Sequence, residues 1–136
     1  MSRNVSNDLF DTSNRGISDR AIPLFGKVWP SSIALANLLF DSDITGQRIL
    51  EVCCGLGLVS PQLKLHGADI TAIEIHPIVG ELLSRNFRLN RIEPVPFIAT
   101  SGGGHHTDLG SFGLIVASDI LYKPNHVRTL PLFLRN

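Results

Sequence analysis

An excess of charge of either sign is missing from this chain: 12 Lys and Arg offset 12 Asp and Glu in 136 residues, a formal net charge of zero. A neutral chain exerts no global pull on nucleic acid or on an anionic bilayer, so a polyanion partner would need a local patch. Arg85, Arg88 and Arg91 share the spacing of one helix face, for which a solvated surface is the simpler account. Cysteine is nearly absent as well. Cys53 and Cys54 are adjacent, too cramped for an ordinary disulfide, and no Cys or His stands near them at metal-ligand spacing. They read as buried, reduced thiols. Long apolar runs are missing too. None nears the roughly 18 residues of a membrane span, and Met1–Asp8 has no signal-peptide core, so a cytoplasmic protein is expected. His105, His106 and Asp108 tempt a metal reading, but adjacent histidines share no face of a helix or strand. No metal is expected. Gly102–Gly104 lacks the Lys-Ser/Thr of a phosphate loop and reads as a linker.

What is present begins with composition and one loop. Hydrophobic residues make up 43% of the chain, ample for a core, and the length allows one domain at most. The run Arg48-Ile-Leu-Glu-Val-Cys-Cys-Gly-Leu-Gly-Leu-Val59 is an apolar strand ending in a carboxylate, then a tight loop with Gly55 and Gly57, then a helix start. Such a turn holds a nucleotide, because glycines let the backbone approach and the helix N-terminus turns unpaired N–H groups toward the ligand. Glu74 ends the next apolar strand, about 20 residues on, where an acidic side chain receives ribose hydroxyls. Two cofactor patterns compete. A dinucleotide fingerprint wants a third glycine where Ser60 stands; an S-adenosylmethionine (SAM) loop, Glu/Asp-x-Gly-x-Gly-x-Gly, finds Cys53 at its first glycine. The extra carboxylate, Glu51, favours SAM, whose ammonium it would hold. A left-handed backbone at Cys53 would cost about 1–2 kcal/mol, which the pattern tolerates.

Along the chain, residues 1–21 are polar without an apolar period and read as a flexible arm, leaving 22–136 as the domain. After Trp29-Pro30, Ser31 or Ser32 is placed to cap a helix through Phe40. Strands are expected at about 48–52, 69–74, 95–99 and 112–118. Helices are expected at about 57–66, from Pro77 to Asn90, and from Pro124 onward. Pro61 fits only a first helical turn, Gly67 suits a C-terminal cap, and Pro96 argues for an edge strand. Strand–helix alternation gives a parallel sheet with right-handed crossovers.

Several segments together resemble the class I (seven-β-strand) SAM-dependent methyltransferases, nearest the protein-lysine methyltransferase-like branch with an Asp-x-x-Tyr motif after strand four. They are Gly26-Lys-Val-Trp-Pro-Ser-Ser-Ile-Ala-Leu-Ala36, the Glu51 loop, Gly67-Ala68, Leu82-Leu83 with Asn86 and Asn90, and Leu114-Ile-Val-Ala-Ser-Asp-Ile-Leu-Tyr122. The resemblance implies a Rossmann-like three-layer αβα sandwich with strand order 3-2-1-4. It implies SAM as cofactor, held by Trp29, Glu51, Cys53, Gly55, Gly57, Glu74 and Ser118, and an acceptor side built from Asp119 and Tyr122. A protein lysine is the implied acceptor, without nucleic acid or membrane partners; a small-molecule acceptor is the near alternative.

Departures temper this reading. Relatives carry an acidic residue and a tryptophan near the adenine, whereas this sequence has Thr100-Ser-Gly-Gly103, and Gly113 replaces an Asp common before strand four. The family's three further strands are not found, so the chain reads as truncated after strand four. That leaves a noncatalytic, partner-binding domain as the second hypothesis. A nicotinamide-dependent oxidoreductase is third, because no catalytic Tyr/Lys or His constellation accompanies the loop.

Overall fold

A computed structural model describes residues 24–100, 109–121 and 124–134. The expected arm, His105, His106 and Tyr122 lie outside the described residues. After a 3₁₀ turn at Leu24–Gly26 come α1 (Pro30–Phe40), β1 (Arg48–Val52), α2 (Val59–Leu65), β2 (Asp69–Glu74) and α3 (Ile78–Leu89). Then follow β3 (Phe97–Ala99), β4 (Leu114–Ala117) and α4 (Pro124–Phe133). All strand pairings are parallel and the order is β3-β2-β1-β4, as expected.

Local sequence explains these boundaries. Pro30 starts α1, where its missing N–H costs nothing. Pro61 falls in the first turn of α2, and Gly67 (φ 79°) ends that helix with its N–H on Lys64 O at 3.0 Å. Asn90 terminates α3. β3 is shorter than expected, since Pro96 has no N–H to pair, but its carbonyl still accepts from Ala72 N–H at 2.9 Å. β4 is also shorter. Only its Val116 is buried, because β4 pairs on one side alone among the described residues.

The side chains of β1 alternate between two cores. Ile49 packs with Ala36, Leu39, Val59, Leu63, Ile70, Val79, Leu83 and Phe87, so α1, α2 and α3 cover one sheet face. Leu50, Val52 and Ile73 face the other way, against Phe112 and against Leu130 and Phe133 of α4. Helices on both faces explain why β1 and β2 read as continuous apolar runs. Arg48 fixes the approach to β4: its guanidinium donates to Leu109 O and Ser111 O, each at 2.9 Å, and lies 4.3 Å over the Phe112 ring. Gly113 N–H donates to Arg48 O at 2.9 Å, which ties the approach to β4 to the start of β1. Among the described residues, no helix is long and apolar enough to cross a membrane.

Candidate functional site

The carboxyl ends of β1, β2 and β4 lie together at one end of the sheet, the end at which open α/β sheets form their ligand crevice. The loop from Cys53 to Leu58 fills its floor in an unusual backbone: Cys53, Gly55 and Gly57 have φ of 58°, 51° and 70°. At Gly57 the requirement is also steric, since a Cβ would lie 2.0 Å from Leu83 Cδ1 in the core. Gly57 N–H closes the turn on Cys54 O at 2.8 Å, and Asn86 Nδ2 donates to Leu56 O at 2.7 Å from α3. The loop is thus anchored to the sheet below and the helix beside it.

Register places Glu51 opposite Ala72, so Glu51 and Glu74 project from the same sheet face, and both are buried. Their partners differ. Glu74 Oε2 accepts from Gly55 N–H at 3.3 Å and Oε1 from Ile75 N–H at 2.7 Å, which ties the loop to the end of β2. A carboxylate has about four acceptor directions, so capacity remains for ligand hydroxyls. Glu51 Oε2 instead accepts from Ser60 N–H at 3.0 Å and from the Ser60 hydroxyl, capping α2 from β1. Burial pushes Glu51 up to about 7; the Ser60 hydrogen bonds oppose that rise and the nearby Glu74 charge adds to it. Partial burial with the charges of Glu74 and Glu51 pushes the Cys53 thiol up to about 12, and burial raises Cys54 further. Both cysteines are free thiols; Cys54 is buried as expected, whereas Cys53, where the chain leaves β1, is exposed, contrary to the expectation of two buried thiols.

Above the loop runs the segment from Leu24 to Trp29. Trp29 Nε1 donates to Leu24 O at 3.0 Å and Lys27 Nζ sits 4.7 Å over the indole, which fixes the 3₁₀ turn. That turn brings Phe25 O to 3.5 Å from where a Gly55 Cβ would be, and the Phe25 ring to 4.9 Å from His76. The sequence reading missed Phe25 and His76; only their places beside Trp29 and just after Glu74 could have drawn attention to them. At the β4 end, Ser118 and Asp119 face the first turn of α1. Ser31 Oγ donates to Asp119 Oδ2, and the Ser32 and Ser118 hydroxyls share a 2.9 Å hydrogen bond. The two serines therefore do not cap their own helix, for Trp29 is the N-cap and no side-chain cap bond forms. Among the described residues, no three His, Cys, Asp or Glu side chains are placed to hold a metal ion.

The structure brings Glu51, Cys53, Gly55, Gly57 and Glu74 into one cluster, with the Trp29 segment above it and Ser118 and Asp119 across the crevice. A parallel sheet of this order with a glycine loop after β1 and an acidic residue closing β2 is the Rossmann-like arrangement that class I methyltransferases share with dinucleotide-binding proteins. The solved tRNA (uracil-54, C5)-methyltransferase of Pyrococcus abyssi, in complex with S-adenosyl-L-homocysteine, superposes with a TM-score of 0.54 at 20% identity. The match covers 73% of this chain and 25% of that one. The chain belongs to this class I fold family, and its curated relatives in sequence include protein-lysine methyltransferases and a histidine protein methyltransferase 1 homolog of Dictyostelium discoideum. The electron transfer flavoprotein beta subunit lysine methyltransferase of Mus musculus is 32% identical over 117 residues, spanning 84% of this chain and 45% of the relative. EEF1A lysine methyltransferase 3 of the same species is 29% identical over 115 residues, 79% of this chain and 47% of the relative. The chain thus spans a little under half the length of these relatives. No protein-family model matches it.

Proposed function

We propose that this chain is a SAM-dependent methyltransferase domain whose acceptor is a lysine side chain of a protein. The observation that carries the choice of cofactor is electrostatic. Two buried carboxylates, Glu51 and Glu74, flank the glycine loop, and among the described residues neither forms an ion pair with Lys, Arg or His; the one such pair joins Arg48 to Asp69. An anionic pyrophosphate would meet repulsion there, whereas a ligand carrying a sulfonium and an ammonium supplies the missing positive charge. The loop keeps the left-handed backbone at Gly55 and Gly57 that a glycine turn of this kind uses.

When bound, the cofactor supplies a methyl group on a positively charged sulfur. The protein's part is positioning and exclusion of water. Glu74, already fixed by Gly55 N–H, orients the ribose hydroxyls. Glu51 holds the loop through Ser60, and a bound ammonium would favour the ionised form that burial resists. The Leu24–Trp29 segment walls the methionine end. Asp119 orients the acceptor ammonium, which must lose a proton before its nitrogen can attack in line.

The lysine-methyltransferase relatives support a protein acceptor, and the zero net charge supports one that is not nucleic acid. Two free thiols beside the loop support a reducing, cytoplasmic setting. Calorimetry tests the reading directly: S-adenosylhomocysteine binds and NAD does not. Radiolabelled SAM with a lysine-containing protein then distinguishes an enzyme from a binding domain that keeps the fold without turnover. Binding of NAD alone refutes the cofactor assignment.

A further inference from the structure

The join between α1 and β4 is built from four polar side chains. Ser31 and Ser32 lie in the first turn of α1; Ser118 and Asp119 follow β4, 86 and 88 residues away along the chain. Serines in a first helical turn ordinarily satisfy their own backbone. Here they cross to a different strand end, Ser31 to Asp119 and Ser32 to Ser118. Asp119 itself has a left-handed backbone, φ 52°, a conformation that persists in a non-glycine residue only where its surroundings hold it. α1 has no acidic residue in its own first turn, so the Asp119 carboxylate also supplies the negative charge that a helix N-terminus favours.

We infer that Ser31 is a positioning residue for the acceptor side of the site: its hydroxyl fixes the rotamer of Asp119, and the Ser32–Ser118 pair fixes the backbone beneath it. The inference rests on the methyltransferase reading, in which Asp119 meets the lysine ammonium. With its one proton committed to Asp119, Ser31 Oγ has only lone pairs left to offer. It therefore joins the carboxylate in accepting from a primary ammonium rather than competing for it. Loss of Ser31 frees the carboxylate to rotate, and each misplacement at a reacting centre costs rate or affinity out of proportion to its size.

A thermodynamic cycle in urea with Ser31→Ala, Asp119→Gly and the double variant tests the contact. Glycine keeps the left-handed backbone, so the cycle isolates the side chains. The expected coupling is about fivefold in the unfolding constant, retained when Ser31→Thr replaces Ser31→Ala, because threonine keeps the hydroxyl. Strict additivity overturns the inference. The acceptor role is read by titrating n-butylammonium, a lysine side-chain mimic, into the ¹⁵N-labelled protein saturated with S-adenosylhomocysteine. Ser31→Ala should weaken its effect on the Asp119 amide about threefold or more and Ser31→Thr should restore it, with S-adenosylhomocysteine affinity unchanged in both. An unperturbed Asp119 amide in the unsubstituted protein, or equal affinity in Ser31→Ala, overturns the positioning role. Failure of S-adenosylhomocysteine to bind the unsubstituted protein sinks the methyltransferase reading instead, while the urea cycle still decides the contact.

Discussion

Glu51 makes the stability of this protein depend on pH in a direction opposite to most carboxylates. Its side chain is buried on the floor of the crevice, bound to Ser60 and close to Glu74, and burial raises it from the ordinary 4.5 to about 7. Between those values the native state keeps a proton that the unfolded chain releases. The native state then binds more protons, so stability falls as pH rises. The contribution is fully present below about 4.5 and is lost as pH climbs through about 7. At about 1.4 kcal/mol per pH unit, the interval corresponds to roughly 3 kcal/mol, of which about 2–3 kcal/mol lies between pH 5 and 8. Glu51→Gln keeps the shape and removes the titration. Urea unfolding of the unsubstituted protein and of Glu51→Gln at half-unit steps from pH 5 to 8 isolates the effect as the difference between two curves, in which other titrating groups cancel. The difference should shift against the unsubstituted protein by about 2 kcal/mol or more as pH rises. Parallel curves would refute the placement of Glu51 as a buried, proton-holding group.

Three further outcomes follow from the loop. Gly57→Ala combines a left-handed backbone with a Cβ driven into Leu83, so it should cost about 3 kcal/mol or more, read as a fall in melting temperature; an unchanged melting temperature contradicts the loop geometry. Cys53→Gly relieves the left-handed strain at φ 58° and should stabilise the fold by about 0.5–1 kcal/mol, glycine's unfolded-state entropy offsetting part of the gain, with S-adenosylhomocysteine binding retained. A destabilised Cys53→Gly would mean that the thiol makes a contact worth more than the strain. Glu74→Ala removes a charged acceptor worth about 1.5–3 kcal/mol, so calorimetry should show cofactor affinity lower by roughly tenfold or more; a folded variant with unchanged affinity would place the nucleotide elsewhere.

The sequence by itself determined the elements and their order. Apolar runs bounded by Gly46, Gly67 and Asn90 located β1, β2 and α3 closely, because helix caps and strand ends are set by neighbours in the chain. Pro96 marked an edge strand for the same local reason: a residue without an N–H cannot serve a ladder on both sides. The glycine loop and Glu74 were legible from their spacing alone, and the left-handed backbone that the SAM pattern implies at Cys53 is present at φ 58°. Tertiary structure decided what each polar group does. That Glu51 turns to Ser60, that Ser31 and Ser32 leave their own helix for Asp119 and Ser118, and that Phe25 reaches His76 all depend on elements separated along the chain. A side chain's identity fixes what it can donate or accept, but only the packing of β1 between β2 and β4 brings those particular partners within hydrogen-bonding distance.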